Sequence, residues 1–185
     1  HKLREHSAYV PELTRIAEVD GKIVGGIYYT KSQVVYPDGC VDILTFGPLC
    51  VDPQYQNQGI GKALMAETMT EATRLGYSAI IIFGEPDYYP RVGFKPCDTY
   101  GITTWDGHNF DAFMGIELVK GVLKSGGKFK AADVFDQFGF HLVLATPLKM
   151  IRTLQEYVGG VATVSIRDSK ASRLGVASIT EASDG

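Results

Sequence analysis

The sequence lacks three features, each of which would have decided a class. Its longest unbroken apolar run is about five residues, Ala79 to Phe83, against the roughly 20 a membrane-spanning helix needs, and no charged-then-apolar leader precedes it. No membrane role is expected. Positive charge is not in excess: 18 Lys and Arg stand against 21 Asp and Glu, a formal net charge of -3. Without a basic field to attract a phosphate backbone, nucleic acid is not the expected main partner. Cysteine is scarce and unpatterned. Cys40, Cys50 and Cys97 are an odd number without metal-ligand spacing, and His1, His6, His108 and His141 are scattered. No metal site is expected, and a reducing cytoplasm is the simplest setting. What is present is a globular composition, 45% apolar over 185 residues, enough to bury a core without disulfides.

Charge is unevenly placed along the chain. Residues 1–119 hold 9 Lys and Arg against 15 Asp and Glu, whereas 120–185 hold 9 against 6, and nine of the ten Tyr precede position 120. Such asymmetry predicts two units, a first to about 119 and a second over 120–185.

Periodicity alternates between two types. Runs 14–20 and 23–35 are strand-like and joined at Asp20-Gly21, a strong hairpin signal. Pro37-Asp38-Gly39 breaks the chain again. Segment 41–51 is a third strand, but Gly47-Pro48 lies inside it, and proline removes a ladder donor, so a bulge is expected there. Over 59–75 the spacing becomes helical: Ile60, Leu64, Ala72 and Leu75 share a face, Glu67, Glu71 and Arg74 lie on the other, and Gly76 stops the helix. Segment 77–83 is a buried strand, parallel to 41–51 if the helix is its crossover. A short turn at 86–92, a strand over 94–104, a turn at Asp106-Gly107 and a strand over 112–119 follow.

The chemistry is expected where strand 41–51 meets helix 59–75, through VDPQYQNQGIGKAL (51–64). Glycines at 59 and 61 let the backbone approach a ligand, and the free N–H groups opening a helix bind anions. A nucleotide P-loop fails here, because Gln56 stands where its first glycine belongs and Ala63 follows Lys62. A dinucleotide fingerprint fails at Leu64, where a third glycine is required. Gln56-x-x-Gly59-x-Gly61 after a broken strand remains, against the plain alternative of a glycine-rich strand-to-helix turn.

With LTFGPLCV (44–51), that loop, AIIIF (79–83) and YYPRVGF (88–94) in this order and spacing, the chain resembles the GNAT superfamily of acetyl-CoA-dependent N-acetyltransferases. The resemblance implies an α/β (α+β) fold, a mixed and mostly antiparallel central sheet flanked by helices with splayed central strands. It implies acetyl-CoA as co-substrate, its pyrophosphate on the backbone of Gln56, Asn57, Gln58, Gly59, Ile60, Gly61 and Lys62, and its pantetheine arm beside Leu49, Cys50 and Val51. A bulge at Gly47-Pro48 would splay the strands and leave backbone groups that an amide-bearing arm can pair with. The implied reaction is direct acetyl transfer to a primary amine, on a small molecule or a peptide. A homodimer is compatible with it, and a noncatalytic acyl-CoA-binding regulator is the alternative.

Transfer needs an unprotonated amine and a proton for the departing thiolate. Tyr89, four residues before Gly93 in the Y-x-x-x-G-F pattern, occupies the family's usual place for the general acid, with Tyr88 next in line. The family's usual acidic position falls near Leu44, Thr45 and Phe46, none of which can be a base. Glu85 is then the candidate base, with Asp87 beside it and Asp42 further out; a water chain or desolvation could replace it. A cysteine nucleophile has no supporting motif around Cys50, and His108 reads as an exposed turn residue.

The resemblance runs from about Thr14 to Leu118 and thins by Asp136. The strand and helices that normally precede the first hairpin are expected to be missing, since only residues 1–13 stand before it. Over the remainder, 141–145 suits a strand and Leu148, Ile151, Leu154 and Val158 form a helix face capped at Thr146. VATVSI (161–166) alternates, and the Ser- and Ala-rich end reads as disordered. An extension, a partner-binding appendage or a frameshifted end are the three readings of this part.

Overall fold

Asp20 and Gly21, at φ 51° and 76°, place two successive left-handed residues between two apolar runs, the twist that closes a tight antiparallel hairpin. The computed structural model describes residues 5–133 and two further strand segments, 162–165 and 179–180. β1 (Arg15–Val19) folds back on β2 (Lys22–Tyr36), which pairs antiparallel with β3 (Gly39–Val51). α1 (Ile60–Arg74) then crosses over to β4 (Ala79–Phe83), parallel to β3 as the connection length predicts. β5 (Lys95–Pro96), β6 (Thr103–Thr104), β7 (Phe113–Glu117) and β8 (Lys128–Lys130) follow, then β9 (Ala162–Ser165) and β10 (Ile179–Thr180). The sheet runs β10-β9-β1-β2-β3-β4-β7-β5, with β8 joining β2 to β6. This is the mixed, mostly antiparallel α/β sheet expected.

β2 organises the molecule. One of its edges is taken by β1 at its start and by β8 at its end, through Val34 opposite Phe129; its other edge is β3. Alternation then fills two cores. Tyr29 of β2, Leu44 and Phe46 of β3, and Ile80 and Ile82 of β4 pack with Leu64 and Met65 of α1. Val34, Ile43, Ile81, Phe113, Leu123 and Phe129 form the second core. Residues 123–129 thus share sheet and core with the segment before 119.

α1 ends as Gly76 predicted. Gly76 N–H donates to Thr73 O and Tyr77 N–H to Ala72 O, with Gly76 at φ 89°, the paired closure that spares the last carbonyls. Two helix assignments change. Leu75 is 38% exposed and lies off the buried face. Glu67, placed on the polar face by its charge, has its side chain 9% exposed and meets Arg15 of β1.

The strand expected over 94–104 is broken into β5 and β6 by a 3-10 turn over Cys97–Tyr100 and by Gly101 at φ 67°. Pro96 has no N–H to extend the ladder. The alternating run 161–166 contains β9, which lies parallel to β1, and a pair of residues in the end read as disordered, Ile179 and Thr180, forms β10 against β9. The strand at 141–145 and the helix at 147–158 lie outside the described residues.

Candidate active site

Between two shared pairs, β3 carries one residue more than β2: Tyr29 faces Phe46, Ile27 faces Leu49, and Gly47 and Pro48 together stand opposite Tyr28. This is the predicted bulge, and it bends the strand. Beyond it Leu49, Cys50 and Val51 still pair with β2. The other edge has parted from β4, since a single pair, Leu44 with Ile80, joins the two strands. From Thr45 onward the β4-facing edge of β3 has no strand partner among the described residues. The backbone groups along it lack a ladder partner, which an extended ligand can supply.

That open edge runs directly into the start of α1. Asp52 is buried and opens the 3-10 turn Pro53–Tyr55, its Oδ1 accepting from the Gln54 N–H at 2.9 Å. Gln56 and Gln58 spend their side chains bracing the loop: Nε2 of Gln56 donates to Val51 O at 3.1 Å and Nε2 of Gln58 to Gln54 O at 3.2 Å. Asn57 and Gly59, at φ 60° and 83°, turn the chain into the helix. Gly59 supplies no capping side chain, and the first turn holds no acid. Lys62 is instead the third helical residue, a cation at the positive end of the dipole. The first N–H groups of a helix have no acceptor within it, so this end suits an anion.

Glycine leaves space here. A Cβ on Gly61 would lie 2.9 Å from the Tyr88 hydroxyl, 3.8 Å from Val51 and 3.9 Å from Leu49. A Cβ on Gly25 of β2 would lie 2.8 Å from the Cys50 carbonyl oxygen. The end of β3, the start of α1 and the Tyr88 phenol therefore converge on one small volume.

Among the residues expected to hold a coenzyme, Leu49 and Val51 pack toward α1. Cys50 points to the other face, among Ile16, Ile23 and Tyr28, and its carbonyl oxygen is turned toward Gly25 of β2, so Leu49 and Val51 carry the open edge. Burial pushes its thiol up to about 11 and that of Cys97 up to about 12, which removes both as ready nucleophiles.

The two tyrosines take different places. Tyr89 is half-buried, its ring 5.8 Å from Phe46, 5.5 Å from Phe94 and 5.1 Å from Tyr88. A side chain at Gly84 would overlap it. Burial raises its phenol well above the ordinary 10.0, with Tyr88 and Glu85 adding to the shift. Tyr88 is 37% exposed and reaches the helix start instead. Glu85 and Asp87 are exposed, and the Glu85 carbonyl accepts from the N–H groups of Tyr88 at 3.1 Å and Tyr89 at 3.2 Å. Asp42 accepts from Gln33 Nε2 at 2.8 Å near the far end of the hairpin, and exposed His108 pairs with Asp106 at 3.0 Å.

Sequence reasoning missed the polar cluster beneath this site. Tyr29 and Thr68 share a hydrogen bond of 2.8 Å between buried hydroxyls. Arg15 Nε lies 2.9 Å from Glu67 Oε2, as a close ion contact rather than an aligned hydrogen bond, and Arg15 Nη1 donates to the carbonyls of Glu12 and Thr14. The one signal in the sequence was an arginine inside the apolar alternation of β1.

Comparison with known proteins converges on one fold. Residues 11–96 match the acetyltransferase (GNAT) domain family. The uncharacterized N-acetyltransferase YjhQ of Escherichia coli K12 is 32% identical over 95 residues, 51% of this chain and 52% of that protein. YhbS of the same strain is 28% identical over 95 residues, 51% of this chain and 55% of its own. The chain spans about half the length of these curated relatives. The crystal structure of E. coli YhbS in complex with CoA superposes with a TM-score of 0.55 at 22% identity, over 65% of this chain and 66% of that one.

Proposed function

We propose that this chain, whose residues 11–96 match the GNAT acetyltransferase domain, moves an acetyl group from acetyl-CoA to a primary amine by direct transfer. The observation that carries this reading is the open edge of β3 leading into an uncapped, acid-free helix start. A linear molecule with amides along an arm and a pyrophosphate at its end meets both demands. The relative YhbS binds CoA in its crystal structure. Backbone groups of Leu49 and Val51 would receive the arm, which would pass beside Cys50. The loop from Gln56 through Lys62 would hold the pyrophosphate by its N–H groups and the Lys62 ammonium.

In the transfer, the amine nitrogen bonds to the thioester carbonyl carbon, the carbon–sulfur bond breaks, and the thiolate leaves. Tyr89, kept protonated by its apolar surroundings, is assigned as the donor of a proton to that sulfur. The amine must lose a proton to attack: an alkylamine is only about 0.1% neutral at pH 7, a handicap of roughly 4 kcal/mol. Glu85, whose charge reaches Tyr89, is assigned to accept it, and the second proton, shed by the nitrogen once the carbon–nitrogen bond has formed, restores the Tyr89 phenol.

Calorimetry with acetyl-CoA, followed by thiol release over a panel of amines and peptide N-termini, tests the reading. Binding with release is expected. Binding without release on any acceptor turns the reading to a noncatalytic acyl-CoA-binding module, and no binding overturns both. Tyr89→Phe should lower turnover at least tenfold with coenzyme affinity within about twofold; an unchanged rate removes it as the acid. Gly61→Glu should abolish coenzyme binding, since it brings bulk onto Tyr88 and negative charge to the helix start.

A further inference from the structure

We propose that the acceptor is an amine carried on a flat apolar body, seated on the second-core face of the splay against a cluster of rings that surfaces at Phe110, with Trp105 at its rim. The inference rests on the acetyl-transfer reading and assigns its acceptor side. Along β4, Ile80 and Ile82 go to the core under α1, whereas Ile81 goes to the second core and Phe83 packs against it at the strand end. Phe83 precedes Gly84, the residue against which the Tyr89 ring lies. Rings and tyrosine thus flank the same strand end from opposite faces. A donor entering from the α1 side leaves the other face to the nucleophile.

The rings form a compact cluster between core and solvent, with Phe110 also 6.0 Å from Phe113. Phe113, fully buried, stacks on Phe83 at 5.2 Å, and Phe83 stacks on Phe110 at 5.8 Å with the planes 15° apart. Phe110 is 46% exposed and Trp105 is 56% exposed. The loop presenting them is braced: the Thr104 hydroxyl donates to Asp106 Oδ1 at 2.6 Å and accepts from the His108 N–H at 3.0 Å, and Asn109 Nδ2 donates to Ile102 O at 3.0 Å. Apolar rings held out on an ordered loop mark a recognition surface rather than a frayed end.

Charge selects the ligand. Residues 105–112 contain Asp106 and Asp111 and neither Lys nor Arg. Lys130 Nζ, 6.0 Å from the centre of the Trp105 ring, already holds that face, so the acceptor's ammonium is assigned to Asp111 beside Phe110. Aromatic faces with adjacent carboxylates attract a cation through ring quadrupole and Coulomb force together. The exposed Phe110 ring favours an aromatic or broad apolar body behind it.

Trp105 is the single tryptophan of the chain, so its emission reports binding independently of turnover. The probe is 2-phenylethylamine, with butylamine as the apolar-poor control and a peptide N-terminus as the third acceptor, all with acetyl-CoA present. Saturable change in Trp105 emission and a kcat/KM at least tenfold above butylamine are expected. Phe110→Ser should reduce that ratio to within about twofold while coenzyme affinity stays within twofold, and Asp111→Asn should raise KM for both amines severalfold. Equal kcat/KM for the two amines, preference for the peptide, or a ratio unchanged in Phe110→Ser overturns the proposal. So does a dimer in sedimentation that Phe110→Ser dissociates, because the rings would then be a contact between copies. Saturable emission change without thiol release on any acceptor would uphold the ring site and sink the transfer reading; release on other amines without any emission change would do the reverse.

Discussion

Tyr29 and Tyr89 show how one residue's surroundings set its chemistry. Burial raises both phenols above 10.0. A group whose folded value exceeds its unfolded one holds its proton longer when folded, so its contribution is complete below pH 10 and is lost as pH rises beyond it. Denaturant midpoints should therefore fall above about pH 10, and the Tyr29→Phe, Tyr89→Phe double variant should flatten that fall; an equally steep fall in the variant would place its origin elsewhere. Arg15 and Glu67 obey a related rule. Glu67→Ala leaves a buried guanidinium unpaired and should cost roughly 3 to 5 kcal/mol in urea unfolding, whereas Arg15→Met with Glu67→Leu should cost less than either single change. At Gly84, any side chain meets the Tyr89 ring, so Gly84→Ala should lower turnover with little effect on acetyl-CoA affinity. The contacts of Tyr29, Glu67 and Gly84 could not be read from sequence. Each depends on a partner, Thr68, Arg15 or Tyr89, brought close by folding rather than by spacing.

Among the elements, those legible in the sequence were the ones whose cause is local. Asp20-Gly21 specifies its turn, Gly76 its helix end and Gly47-Pro48 its bulge through backbone geometry that neighbouring residues cannot override. Segment 94–104 was misread because β propensity suggested continuity, while Pro96 and Gly101 divided it. Glu67 was misplaced because helical periodicity says which residues share a face but not which face meets Arg15. The bulge has a testable role. Deleting Pro48 gives β2 and β3 equal counts between the pairs Tyr29–Phe46 and Ile27–Leu49, so it should keep the fold by circular dichroism. It should also straighten β3 toward β4 and weaken acetyl-CoA binding at least a hundredfold. Undiminished affinity in the deletion would separate the bulge from the site.

Across the molecule, the sheet of the described residues ends in the two-residue strands β5 and β10, edges too short to recruit another chain readily. β9 stands between β10 and β1, so its N–H groups face ladders on both sides. Thr163→Pro should lower stability by about 2 to 3 kcal/mol and free the β1 edge for association, seen as concentration-dependent light scattering. The charge boundary near 119 does not coincide with a gap in packing, because Leu123 and Phe129 complete the second core.

β2 binds the two cores to one fate. Tyr29 and Val34 lie five positions apart on the same strand, one in each core, so neither core can melt without fraying the strand that supports the other. Cooperativity here is a property of one strand's length. Residues 10–132 should lose structure in a single calorimetric transition with equal van't Hoff and calorimetric enthalpies. Their most protected amides in hydrogen exchange should lie along the middle of β2, where the two cores share a backbone.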